Sequence, residues 1–224
     1  MWCIPPREDA RFVAAMEDVL EVYERPYDPA CPQVCLDEAA KQILGEVREP
    51  LPLESGRPQR YDNEYERHGT CALFMLFEPL AGVRQVIVTE RRTKVDYAHV
   101  IRYLCDEMYA EAKQIVLVQD NLNTHGPHSL YEAFPPEEAR RLACKIEWHS
   151  TPKHGSWLNM AEIELSVLAR QCLGERMEDQ QNLEQQVVVW QEKRNRAAVK
   201  VDWHFSVSDA RCKLKRLYTK ILHS

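Results

Sequence analysis

The chain has 224 residues, 45% of them apolar, which suffices for one sizeable core and at most a small appendage. Its net charge of −6 and pI near 5.8 exclude nucleic-acid binding through the whole surface, so any such binding must be local. No run approaches the roughly 18 uninterrupted apolar residues of a membrane span, and the opening MWCIPPRED lacks the basic-then-apolar order of a secretory signal; a soluble, cytoplasmic chain is expected.

From Arg7 to Tyr23, apolar residues recur at Phe12, Met16, Val19, Leu20 and Tyr23, a helical period that stops before Pro26 and Pro29. Residues 1–30 therefore read as an N-terminal helix and linker, and 31–224 as the main domain. Gln33-Val-Cys-Leu-Asp37 is short, apolar and preceded by Pro32; it reads as a strand delivering its last residue, Asp37, to an end of a sheet, where sites on open sheets tend to lie. Residues 48–68 are polar and rich in proline, glycine and charge, the pattern of an exposed loop.

Thr70 to Phe77 and Val83 to Thr89 are β-rich runs joined by Glu78-Pro-Leu-Ala-Gly82, a hairpin signal. Asp96 to Lys113 shows Tyr97, Val100, Ile101, Leu104 and Met108 at helical spacing, and Ile115-Val-Leu-Val-Gln119 follows as a strand buried on both faces. Asp120 closes that strand. After a turn-rich Asn121 to His128, a helix starts at Pro136 with acids in its first turn, Lys145 to Trp148 reads as a fifth strand, and 159–172, 179–196 and 206–221 read as helices. The order predicts an α/β fold of ribonuclease-H-like plan: a mixed five-stranded sheet, antiparallel meander plus parallel strands, flanked by helices.

The eight cysteines form no CxxC pair, which fits buried thiols better than zinc or disulfides. The five tryptophans are expected as core or interface anchors. Positive charge clusters at Arg91-Arg92-Thr93-Lys94, Lys193-Arg194-Asn195-Arg196 and Lys213-Leu214-Lys215-Arg216. Each is either a solvated face or a set of phosphate contacts.

Cleaving a phosphodiester with two divalent ions requires several carboxylates converging at one point, because such cations want hard oxygen ligands. Asp37 and Asp120 end neighbouring apolar strands, although either alone reads equally as a turn or cap residue. A third acid should come from a helix across the sheet end, where Leu158-Asn-Met-Ala-Glu162-Ile-Glu164 offers two. At 100° per residue Glu162 and Glu164 fall on opposite flanks of the apolar stripe Leu158, Ala161, Leu165, Leu168, so periodicity leaves the choice open.

Four segments together resemble the insertion-sequence-630 group of DDE transposases, relatives of the mariner transposases. They are Met16-Glu-Asp-Val-Leu leading to Val34-Cys-Leu-Asp37-Glu38, Arg67-His-Gly-Thr70, Asp120-Asn121-Leu-Asn-Thr-His125, and Leu158-Asn159-Met-Ala-Glu162. The resemblance implies a catalytic domain over 31–224 whose metal-binding triad is Asp37, Asp120 and Glu162, with Glu164 the losing candidate. It implies a two-metal Mg²⁺ or Mn²⁺ site that cleaves DNA and transfers strands. It also implies double-stranded DNA, transposon ends and target, as partner, a homodimer, and a bacterial, nucleoid-associated location when on DNA. Asn121 and His125 would order the turn or touch phosphate; Asn159 would cap its helix or touch DNA, and Arg91, Arg92 and Lys94 would add phosphate contacts. Members of the group usually begin with helix-turn-helix modules, so recognition of transposon ends is expected to be missing or supplied by another chain. The alternative is a catalytically inactive remnant that binds DNA or oligomerises.

Overall fold

The computed structural model describes residues 9–47, 64–174 and 176–218. Five strands, β1 (Gln33–Glu46), β2 (Tyr65–Glu78), β3 (Val83–Thr89), β4 (Ile115–Gln119) and β5 (Ile146–Ser150), form one sheet in the order β3-β2-β1-β4-β5. The β1–β2 and β2–β3 pairs are antiparallel, whereas β1–β4 and β4–β5 are parallel. The expected meander continued by parallel crossovers is thus the observed topology. Seven α-helices flank the sheet among the described residues: α1 (Ala10–Tyr23), α2 (Lys94–Tyr103), α3 (Pro127–Ala133), α4 (Pro136–Lys145), α5 (Met160–Gln171), α6 (Gln180–Arg196) and α7 (Val207–Lys213).

The pleat sorts the sheet's side chains into two cores, because successive residues of a strand face opposite ways. On one face Cys35, Val116 and Val118 pack with Met16, Val19 and Leu20 of α1, Leu165 and Leu168 of α5, and Leu183 and Val187 of α6. On the other, Val34, Leu36, Ile115 and Leu117 pack with Tyr97 and Ile101 of α2, Leu130 of α3 and Leu142 of α4. Helix α1 is therefore an integral core helix. Its N-terminus is capped by Asp9, whose carboxylate accepts from the amides of Arg11 (3.0 Å) and Phe12 (3.2 Å). Beyond its C-terminus Arg25 reaches Glu147 of β5 at 2.8 Å.

Several expected boundaries move. β1 does not stop at Asp37: it runs on to Glu46 against β2, with Asp37 opposite Met75 and a bulge between Ile43 and Leu44. The segment Glu38 to Gln42 has little β propensity of its own, and pairing with β2 overrides it. Tyr65 to His68, expected in the loop, begin β2; the part of that loop at 48–63 lies outside the described residues. The helix expected to reach Lys113 ends at Tyr103, followed by a wider π turn over Leu104–Met108. Helix α3 starts at the end of the turn-rich stretch and continues over residues 129–133, for which the sequence pattern predicts no element. The last expected helix, 206–221, stops at Lys213 and a 3₁₀ turn (Lys215–Leu217) follows; residues 219–221 lie outside the described residues. Gly82 closes the β2–β3 hairpin at φ +71°, and a side chain there would meet the Ala198 carbonyl oxygen at 2.7 Å, so both conformation and space require glycine.

Candidate active site

The parallel ladder between β1 and β4 ends with Leu36 opposite Gln119. Asp37 and Asp120 are the next residue on each strand, so the two acids leave the ladder side by side. What sets their position is the end of the β1–β4 pairing rather than the end of β1.

Burial separates the two candidate glutamates. Glu164 is 1% exposed and held between two guanidinium groups, 3.2 Å from Arg84 Nε and 2.7 Å from Arg194 Nη2, an ion-pair network that ties α5 to β3 and α6. Glu162, two residues earlier, lies on the opposite flank of α5 in its first turn and is exposed. Its charge acts on Asp37: burial, together with the negative fields of Asp120, Glu38 and Glu162, pushes the Asp37 carboxyl up to about 7. Of the two candidate glutamates, Glu162 is the one whose charge reaches Asp37.

Asn159 fixes where α5 begins. Its side-chain oxygen accepts from the Ala161 amide (3.1 Å) while its Nδ2 donates to the Leu36 carbonyl (2.8 Å), one residue before Asp37. The side chain is 1% exposed and both ends are engaged, so it offers nothing to a DNA phosphate. Tyr23 adds a second tether, its hydroxyl donating to the Leu158 carbonyl at 2.6 Å.

His125, expected as a turn residue or phosphate contact, is also buried. Its Nδ1 lies against the Asp120 carboxylate and its Nε2 lies 2.7 Å from Glu38 Oε2. These are close ion pairs rather than well-directed hydrogen bonds, since the ring N–H vectors miss the oxygens. Burial alone would lower the imidazole pKa, but the two carboxylates outweigh it and raise it to about 9. Glu38 was not singled out from the sequence. The signal for it was the pleat: consecutive acids at 37 and 38 face opposite sides of the sheet, so Asp37 turns toward α5 and Glu38 toward α2 and the 121–126 turn.

The basic residues are placed unevenly. Arg91 and Arg92 are exposed just after β3, two strands away from β1; Thr89, the last residue of β3, is level with Ala40, so both lie further along the sheet than Asp37. Lys94 pairs with Glu132 of α3 at 2.5 Å. Asn121, directly after Asp120, is exposed. Arg194, from the second cluster, is committed to Glu164.

Cys35, Cys71 and Cys105 are buried and unpaired, Cys31 and Cys172 half-buried, and Cys144 and Cys212 exposed. Among the described residues no helix is long and apolar enough to cross a membrane.

The chain resembles solved structures of Mos1 transposase in fold. A Mos1 transposase paired-end complex with left transposon end superposes with a TM-score of 0.58 at 12% identity, covering 97% of this chain and 64% of that one. A Mos1 mariner paired-end complex with Mn gives 0.54 at 13%, with coverage of 97% and 64%. The Mos1 strand transfer complex gives 0.53 at 14%, with coverage of 89% and 64%. The chain thus spans just under two thirds of the length of the chains it resembles, and at this identity the likeness is one of ribonuclease-H-like fold. No curated protein sequence matches. A family profile described as DDE superfamily endonuclease matches residues 32–184, from the start of β1 through the site acids and into α6, and on that match the chain belongs to the DDE superfamily endonuclease family.

Proposed function

We propose that the chain is the catalytic domain of a transposase of the insertion-sequence-630 and mariner-like group, cutting DNA phosphodiester bonds and transferring strands with the help of divalent metal. The observation that carries this reading is that Asp37 and Asp120 follow the last rung of the β1–β4 ladder while Glu162 stands in the first turn of α5, and burial, with the charges of Asp120, Glu38 and Glu162, raises Asp37 to about 7.

The donor set fits such a cation. It is made of hard carboxylate oxygens contributed by separate elements, and its excess negative charge is what a divalent ion would neutralise. Asp37, Asp120 and Glu162 would hold Mg²⁺ or Mn²⁺, two ions in all. Bound there, the ions would supply charge stabilisation for the attacking and leaving oxygens of an in-line displacement.

The protein's own contribution is placement. Asn159 ties the start of α5 to β1, Tyr23 ties the preceding Leu158 to α1, and the Arg84–Glu164–Arg194 network fixes the rotation of α5 that turns Glu162 toward Asp37. In cleavage the oxygen of water joins phosphorus, the 3′-oxygen leaves with a proton, and the freed 3′-hydroxyl is the nucleophile for strand transfer. Exposed Asn121 beside Asp120, and exposed Arg91 and Arg92 further along the sheet, are suited to guiding the double-stranded substrate, which would be transposon ends and target. Two copies of the chain would be required if two ends are paired. A chain of this kind acts in the compartment that holds its DNA, the bacterial cytoplasm and nucleoid in this reading.

Nicking of a supercoiled plasmid and of a labelled duplex, in Mg²⁺ or Mn²⁺, tests the proposal. Metal-dependent nicking is expected from the native chain and is expected to vanish in Asp37→Asn, Asp120→Asn and Glu162→Gln. A folded chain that binds metal and DNA but cuts neither substrate would instead make it an inactive DNA-binding remnant.

A further inference from the structure

We infer that His125 and Glu38 form a positioning pair for Asp120, in which Glu38 holds the imidazole and the imidazole holds one carboxylate oxygen of Asp120 so that the other is presented to the metal. The inference rests on the reading of Asp120 as a metal ligand and assigns to Glu38 and His125 a role that is not ligation.

Three observations support it. The ring is fixed from every side: its edge nitrogens meet Asp120 and Glu38, its face stacks on Tyr97 with centroids 4.6 Å apart, and its own amide donates to the Leu122 carbonyl at 3.0 Å. Tyr97 is in turn anchored, its hydroxyl donating to Gln119 Oε1 at 2.5 Å, on the residue before Asp120. Side-chain exposure is 24% at Asp120 but only 1% at His125 and 4% at Glu38. Only Asp120 of the three reaches the surface where a phosphate backbone would approach.

Glu38, Asp120 and His125 offer donor atoms within 4.8 Å of one another, which alone would also describe a metal site. The way the ring is used argues otherwise. A histidine ligates through one nitrogen while the other is typically oriented by a partner. Here each nitrogen already faces a different carboxylate, so neither is left for a cation. Glu38 also leaves β1 on the face opposite Asp37, its side chain 4% exposed against His125 at the close of the 121–126 turn, which itself is tied down by Ser129 Oγ donating to the Thr124 carbonyl at 2.7 Å.

Because Glu38 acts through His125, and His125 through its Nδ1 contact, side-chain replacements separate the two roles. Asparagine at 125 can place an amide donor where Nδ1 lies, whereas glutamine places its donor where Nε2 lies, facing Glu38. Mn²⁺ affinity is read by titrating the electron paramagnetic resonance signal of free Mn²⁺, with a thermal melt of each variant to confirm folding. His125→Asn and Glu38→Gln, which keep a donor on Asp120 and an acceptor for the ring, are expected within about threefold of the native affinity. His125→Gln and His125→Ala are expected to weaken it about 10- to 100-fold, the usual effect of removing a group that orients a ligand. The double variant Glu38→Ala, His125→Ala should bind no more weakly than His125→Ala alone.

Native affinity in His125→Gln and His125→Ala would overturn the inference, as would a loss in His125→Asn as large as in His125→Gln. Loss of binding in Glu38→Gln comparable to that in Asp120→Asn would make Glu38 a ligand and overturn it as well. Native affinity in Asp120→Asn would instead bring down the metal-site reading on which the pair depends.

Discussion

The two glutamates of α5 should separate stability from chemistry. Glu164→Gln removes the carboxylate from a network in which the Arg84 side chain is 0% exposed and Glu164 itself 2%. Breaking a buried ion pair from one side costs about 3–5 kcal/mol, because the partner charge stays buried. Arg84 retains two partners, Asn195 Oδ1 at 3.2 Å and the Val199 carbonyl at 2.5 Å, and Arg194 is 15% exposed and can turn toward water. The lower end, about 3 kcal/mol, is therefore expected. In urea unfolding followed by far-ultraviolet circular dichroism this should lower the midpoint by about 1 M or more. Glu162→Gln, at an exposed first-turn position, should stay within about 0.5 kcal/mol of the native chain. Its nicking should nevertheless fall by more than about 100-fold, the equivalent of losing about 3 kcal/mol of transition-state charge stabilisation. The reverse pattern, with Glu164→Gln stable but inactive and Glu162→Gln active, would refute the assignment and make Glu164 the third ligand.

Further outcomes follow from the same geometry. Asp37 has a folded-state pKa of about 7, above its ordinary unfolded value of about 3.9, so its contribution to stability is complete below the unfolded value and is lost as pH rises through 7. Metal-free protein should thus lose stability, on the order of a few kcal/mol, between pH 4 and 7. Asp37→Asn should flatten that part of a plot of urea midpoint against pH, and an unchanged slope would remove the proposed crowding of acids. His125, also raised, loses its contribution in the next window, as pH climbs from about 6.5 through 9, so the two groups act in the same direction. Asn159→Ala removes the cap on Ala161, about 1 kcal/mol, and orphans the buried Leu36 carbonyl, about 1–3 kcal/mol more; calorimetric melting checks the sum. Gly82→Ala forces a side chain into the left-handed region and against Ala198, and should destabilise the fold by more than the conformational strain of about 1–2 kcal/mol alone, seen as a lowered melting temperature.

The sheet was legible because its strands are short apolar runs with turn chemistry between them, and the order of three strands, helix, strand, helix, strand admits few topologies. Misplaced boundaries share one cause, tertiary contact overriding local pattern. Glu38 to Glu46 became strand because β2 was there to pair with, and Pro127 to Ala133 became helix although it begins in a turn-rich stretch and carries no helical pattern of its own, with Leu130 and Ser129 fully buried against the rest of the fold. Similarly, the choice between Glu162 and Glu164 could not be made from periodicity, since both flank the same apolar stripe. It required knowing that Arg84, eighty positions earlier in the chain, would sit under α5.

The residues around Asp120 show what a motif conveys and what it leaves out. Asp120-Asn121-Leu-Asn-Thr-His125 states that an acid and a histidine are five positions apart, and the turn closed by His125 on Leu122 explains why they meet. It contains nothing about Glu38, which comes from another strand and would be read as one more surface acid. The pleat supplies the missing step: in Asp37-Glu38, one carboxylate must face α5 and the next must face α2. Asp120, standing beyond the end of β4, is reached from both faces. Two adjacent acids are thereby given separate work on the same third one, Asp37 sharing with it the charge that a cation would neutralise and Glu38 reaching it through His125. A substitution exchanging them, Asp37→Glu with Glu38→Asp, would keep composition and net charge while lengthening the first reach and shortening the second. It should therefore weaken Mn²⁺ binding, whereas a site dependent only on total negative charge would bind as before.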